Sequence, residues 1–121
     1  MEKPKVLVVE DEKIIALDLS QNLSNHGYAV LPIASDADTA VRFTKEYSPN
    51  LVLMDIVLKG EKTGIDAARE IRSSNQVPIV FLTGNSHLLA ETGNNFTADI
   101  TILTKPSSDR QLYNAIETAL R

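Results

Sequence analysis

Leu51-Val52-Leu53-Met54-Asp55 is the stretch on which the reading of the whole chain turns. Four consecutive apolar residues are too few for a buried helix and suit an inner strand. This strand carries its hydrophobicity to the edge of the core and stops there on a carboxylate. An Asp in that place more often turns the chain or caps a helix than does chemistry. Which role falls to Asp55 depends on what the other strands bring to the same edge.

Outward from that stretch the pattern recurs. Val6-Leu7-Val8-Val9 is a β-branched apolar run that reads as a buried strand and ends on Glu10-Asp11-Glu12. Ile14, Ile15, Leu19 and Leu23 then form a helical stripe that stops at Gly27, and Tyr28 to Ala34 suits a second strand. Ser35-Asp36-Ala37-Asp38 predicts a capping box, opening a helix that packs on Ala37, Ala40, Val41 and Phe43 until Ser48-Pro49 ends it. Beyond Asp55 lies a loop, Ile56 to Thr63. Thr63-Gly64-Ile65-Asp66 is a second capping box, with Ile65, Ala68 and Ile71 on the inner face of its helix.

Ile79-Val80-Phe81-Leu82 is a fourth apolar strand, ending on Thr83, and Ser86 predicts a short helix through Leu88, Leu89 and Ala90. Ala98 to Leu103 forms a fifth strand, followed by Thr104, Lys105 and Pro106. Ser108-Asp109-Arg110-Gln111 caps a last helix with Leu112, Ala115, Ile116, Ala119 and Leu120 on one face.

Five strands thus alternate with five helices. Strands that are apolar along their whole length need cover on both faces, which a parallel sheet between two helical layers supplies. Right-handed crossovers then give an open, doubly wound α/β domain. With no repeat, linker or low-complexity segment, residues 1–121 read as a single domain, large enough to bury roughly two-thirds of the surface its unfolded form would expose.

Composition narrows the function. At 43% hydrophobic and 23% charged residues the chain falls among globular proteins, and a net charge of −4 gives no electrostatic case for binding nucleic acid or an anionic membrane. The absence of cysteine excludes disulfides and thiolate metal sites. Met1 to Lys5 leads into only four apolar residues, too few for a signal peptide, and no run approaches the ~20 residues of a membrane span. A cytoplasmic location is expected.

In a doubly wound fold every strand points its carboxyl end at one edge, where ligands bind. The first strand delivers Glu10 and Asp11, the third Asp55, the fourth Thr83 and the fifth Lys105; the second, closing on Ala34-Ser35, delivers nothing reactive. Taken singly, Asp11 would serve equally well as a helix cap, Thr83 as a turn hydroxyl and Lys105 as a solvated charge. Together they describe a site. Three adjacent carboxylates repel unless a cation sits among them, and an all-oxygen set suits a hard cation. Magnesium, with manganese as a substitute, takes one or two carboxylates, retained waters and a phosphate oxygen, so the missing ligand is a phosphoryl group. Lys105 then supplies a point charge and Thr83 a hydroxyl to that group. No cysteine, and no serine beyond the loop residue Ser86, stands at this edge, so the nucleophile is a carboxylate. Asp55 on the central strand fills that role, leaving Glu10 and Asp11 to the cation.

With these residues in place the chain resembles, over its whole length, the receiver domain of two-component response regulators. The matching pieces are Val8-Val9-Glu10-Asp11-Glu12, Leu53-Met54-Asp55 with Gly60 five residues on, Phe81-Leu82-Thr83 and Lys105-Pro106. The resemblance implies a flavodoxin-like five-stranded parallel sheet in the order 2-1-3-4-5 with five helices. It implies a phosphoacceptor at Asp55 and magnesium held by Asp11, by Asp55 and by the backbone carbonyl of Val57, with Glu10 acting through water. Thr83 and Lys105 become phosphoryl ligands, and the Lys105–Pro106 bond is cis. The implied partner is a histidine kinase or phosphotransfer protein, from which the domain takes a phosphoryl group that it later hydrolyses, with no separate substrate turned over. Homodimers through the helix after strand four, strand five and the last helix are common in similar proteins, and Ile100 and Ile102 offer apolar contacts there.

One position departs from the family. Switching usually couples the Thr83 position to an aromatic ring three residues before the lysine; here that residue is Ile102, which has no ring to swing. The alternatives are a docking module of the same fold that is not phosphorylated, and a metal-dependent phosphohydrolase. A flavin or nucleotide binder fits poorly, since Glu10-Asp11-Glu12 would repel its phosphate.

Overall fold

The computed structural model describes residues 2–84, 100–105 and 108–121. Along the chain run β1 (Lys5–Val9), α1 (Lys13–Asn25), β2 (Ala29–Val30), α2 (Ala37–Tyr47), β3 (Leu51–Asp55), α3 (Gly64–Arg72), β4 (Ile79–Thr83), β5 (Ile100–Thr104) and a helix termed α4 here (Asp109–Ala119). The five strands form one parallel sheet in the order β2-β1-β3-β4-β5, the flavodoxin-like arrangement expected. Four helices lie among the described residues. The helix expected at Ser86, the start of the fifth strand at Ala98 and the Lys105–Pro106 bond involve residues outside them.

The all-apolar strands are covered twice, as their composition requires. Successive side chains alternate between faces. Leu7, Val9, Val52, Met54, Ile79 and Phe81 pack under α2 and α3, against Ala40, Val41, Ala68 and Ile71. Val6, Val8, Leu51, Leu53, Val80 and Leu82 pack on the other face with Leu23 of α1 and with Leu112 and Ile116 of α4. β3 lies between β1 and β4, with Met54 opposite Val9 and Asp55 opposite Leu82. Asp55 therefore leaves the central strand of the sheet.

Three local expectations are corrected. The inner face of α1 is not the Ile14–Ile15 stripe: Ile14 is 83% exposed, and the helix buries Ala16 and Leu23, with Leu19 packed against the core. The second strand is shorter than Tyr28 to Ala34. Leu31 and Ala34 still donate to the carbonyls of Val6 and Val8, but they stand three residues apart where a regular ladder steps by two, and this extra residue breaks the ladder into Ala29–Val30 and an isolated bridge from Ala34 to Val9. Helix α2 is capped by Asp36 and not by Ser35, with the Asp36 carboxylate accepting from the Thr39 amide at 2.7 Å. The capping boxes at Thr63 and Ser108 form as read from the sequence, and Gly27 ends the α1 segment at φ +93°.

Candidate phosphoryl and cation site

The carboxyl ends of β1, β3, β4 and β5 bring Glu10, Asp11, Asp55, Thr83 and Lys105 to one edge. Carboxylate oxygens of Glu10, Asp11 and Asp55 all lie within 4.8 Å of one another. Lys105 Nζ reaches Asp55 Oδ2 at 3.1 Å and Glu10 Oε2 at 3.4 Å, bridging the two acids. The remaining Asp55 oxygen, Oδ1, accepts from the Val57 amide at 3.3 Å. Glu10 Oε1 accepts from the Glu12 amide at 3.2 Å, and the Glu10 amide donates to the Ala34 carbonyl at 3.0 Å. Thr83 is fully buried, and its carbonyl accepts from the Lys105 amide at 2.7 Å, which ties the ends of β4 and β5 together.

Burial dominates the electrostatics. Glu10 is only 5% exposed, and loss of solvent, with the neighbouring Asp55 carboxylate, holds its carboxyl above the usual range against the opposing pull of the Glu12 amide and Lys105. Burial pulls the Lys105 ammonium down, but Asp55 and Glu10 outweigh it, and the group stays protonated to higher pH than a free lysine. Among the described residues, three carboxylates face a single ammonium in direct contact, which leaves the cluster short of positive charge. The donors are hard oxygens, the set that suits magnesium.

Asp11 is released from the structural role that competed for it. The residue at the start of α1 is Glu12, which makes no side-chain capping bond. Val57 is 60% exposed, with its amide on Asp55. Its loop turns at Gly60 (φ +95°) and is tied to the start of α2 by an Asp36–Lys59 bridge and a Lys62–Asp38 contact of 2.9 Å.

Two contributors escaped the sequence reading. Ser35, which follows the isolated Ala34 bridge beyond β2, lines a cavity of about 460 Å³ beside Glu10 and Asp11, together with Lys13 and Leu17 of α1, Ile33 and Lys59, so the expectation of no serine at this edge besides Ser86 is corrected. Gly64 packs on the backbone of Asp55 itself. Ser35 is legible as a strand-end residue; nothing local in the sequence signals the Gly64 contact, since it joins segments that only the folded sheet brings together.

Residues 6–117 match the model of the response regulator receiver domain. Among curated proteins, the transcriptional regulatory protein PdtaR of Mycobacterium tuberculosis is 39% identical over 117 residues, covering 96% of this chain and 56% of that protein. The chain thus spans about half the length of the curated relatives it matches. Among solved structures, a response regulator receiver protein from Sinorhizobium medicae superposes with a TM-score of 0.85 at 29% identity, covering 98% of this chain and 95% of the other. The response regulator PhyR from Brucella abortus gives 0.84 at 32% identity, covering 98% of this chain and 48% of PhyR.

Proposed function

The chain belongs to the response regulator receiver domain family, and from that membership and the geometry of the acidic edge we propose that it accepts a phosphoryl group on Asp55. The donor is a phosphohistidine of a histidine kinase or phosphotransfer protein, and the reaction requires magnesium. Lys105 carries the reading: one ammonium spans Asp55 and Glu10, the place a phosphoryl oxygen needs a cation. An Asp55 carboxylate oxygen attacks phosphorus. The bond from phosphorus to the donor imidazole nitrogen breaks, and the imidazole leaves with that electron pair. Lys105 moves its hydrogen bond from the carboxylate to a phosphoryl oxygen, and Thr83 at the neighbouring strand end supplies a hydroxyl to another.

Asp11 and Asp55, with the Val57 carbonyl and Glu10 acting through water, would hold the cation. Bound there, magnesium supplies the positive charge that lets phosphoryl oxygens approach three carboxylates. Residues 1–121 act as one receiver unit, in the cytoplasm, and switch the binding of a partner or of a second copy of the chain. Regulation of transcription is what the name of PdtaR states, and any such output here would come through that switch.

Incubation with magnesium and a small acyl phosphate, followed by intact mass, should show one phosphoryl adduct that is absent from Asp55→Asn and lost in alkali. No adduct under any donor condition would overturn the reading in favour of the docking module. That second reading draws support from Ile102, aliphatic and 46% exposed where the family has its ring. It also draws on a PhyR from Bartonella quintana described as an anti-anti-sigma factor, 30% identical to this chain with a TM-score of 0.82.

A further inference from the structure

Gly64, the first residue of α3, lies directly against the phosphoacceptor strand. A Cβ placed on it would collide with the Asp55 carbonyl oxygen and crowd the Asp55 carbonyl carbon at 2.9 Å and the Ile56 Cα at 3.0 Å. Its amide donates to the Ile56 carbonyl at 2.7 Å. The three nearest atoms are all main chain, so no rotamer change can relieve those contacts.

The surroundings decide which side would yield. Helix α3 is held by the buried Ile65, Ala67, Ala68 and Ile71 and by the Thr63–Asp66 capping box, whose Thr63 amide donates to Asp66 at 2.8 Å. β3 is paired on both sides up to Met54 and Asp55. The segment just beyond is anchored by the buried Ile56, and the first residue whose side chain is released to solvent is Val57.

We infer that Gly64 is a positioning residue: its missing side chain lets α3 seat on the Asp55 carbonyl, and that contact sets where the Asp55 carboxylate and the Val57 backbone stand. The inference rests on the reading of Asp11, Asp55 and Val57 as the magnesium site. A Cβ at position 64 would displace that backbone by on the order of 1 Å, a misplacement that can cost about 10²-fold in rate.

Magnesium titration of the metal-free protein by calorimetry tests this, with thermal melting in chelator alongside. Gly64→Ala should weaken magnesium binding at least ~10-fold, as loss of a supporting group around a ligand does, and slow acyl-phosphate labelling. Ile71→Ala, which loosens the far end of α3, should lower the melting temperature while holding magnesium affinity within about twofold. Should Gly64→Ala fail to fold, Thr63→Val, which slackens the same contact without adding bulk, should weaken magnesium a few-fold. Unchanged affinity in the variant that folds, or an equal loss in Ile71→Ala, would overturn the inference. Failure of the wild-type protein to bind magnesium at all would instead strike the underlying reading of the site.

Discussion

Two helices leave the acidic edge, and they begin in opposite ways. Helix α3 starts with a complete capping box, in which Thr63 and Asp66 satisfy each other's amides, and with a glycine seated on Asp55. Helix α1 starts at Glu12 with no side-chain cap and no acid in its first turn, although Glu10, Asp11 and Glu12 stand immediately before it. The acids that could cap α1 face the cluster instead: Glu10 takes the Glu12 amide and Lys105, and Asp11 joins Glu10 and Asp55. One loop is built to be rigid, the other to present charge. An uncapped helix beside available acids is the trace that function leaves on local structure.

The largest effect that separates the two loops is expected at Asp11. Because it caps nothing, Asp11→Asn should leave thermal stability in chelator unchanged or slightly improved, as one carboxylate is withdrawn from a repulsive set. Magnesium affinity should fall by more than the roughly 10- to 100-fold that groups merely supporting a ligand are worth. Calorimetry and melting curves on the same sample decide it. A loss of stability with magnesium affinity retained would return Asp11 to the capping role and erase the contrast with α3.

A smaller effect should run the other way at the capped helix. Thr63→Val removes the hydroxyl that accepts from the Asp66 amide and should cost about 1 kcal/mol in chemical denaturation. Glu12→Ser installs at α1 the cap it lacks, on backbone already extended at φ −88°, ψ 113°, and should gain a few tenths to about 1 kcal/mol. If both substitutions shift stability in the same direction, the two helix starts do not differ in the way their hydrogen bonds imply.

How much of this was legible follows the same division. The apolar strands announced themselves because both of their faces are buried, and the order of acids, hydroxyl and lysine at the strand ends placed the edge residues before any geometry was known. What stayed hidden depends on which face meets what. On α1, Ile14, Ile15 and Leu17 carry the hydrophobic signal, yet all three are exposed. The face that packs is Ala16, Leu19, Ser20 and Leu23. It includes one small residue and one hydroxyl, the Ser20 Oγ, enclosed without a hydrogen-bond partner among the described residues. A periodicity count weights bulk and cannot tell the sheet side from the water side when both carry apolar groups. Gly64 was visible only as a cap-box member, because its contact with Asp55 lies across the loop it closes. The shortened second strand was hidden as well: Pro32 faces the open side of an edge strand, where no donor is needed, and the ladder stops at an extra residue between the donors Leu31 and Ala34 that no local pattern announces.

The smallest and most diagnostic effect concerns pH and falls at Glu10. Its folded carboxyl sits above the ordinary value, chiefly through burial, so its contribution to stability is present below the unfolded value and is lost as pH rises through the folded one. Asp36 acts in the opposite sense, since the Thr39 amide holds its carboxyl low and its contribution is lost as pH falls. The total slope therefore mixes signs, and only a difference isolates Glu10. Lys105, raised by its two acids, remains charged through the acid range and adds no slope there. As pH rises from about 4 to 7 in chelator, the melting temperature of the wild type should lose ground to that of Glu10→Gln, and saturating magnesium in place of chelator should shrink that difference by giving the ionised carboxylate a cation to face. Identical slopes without metal would mean that Glu10 carries no burial penalty. The loop before α1 would then hold its charge at no cost, and its contrast with the capped start of α3 would reduce to the missing hydrogen bond.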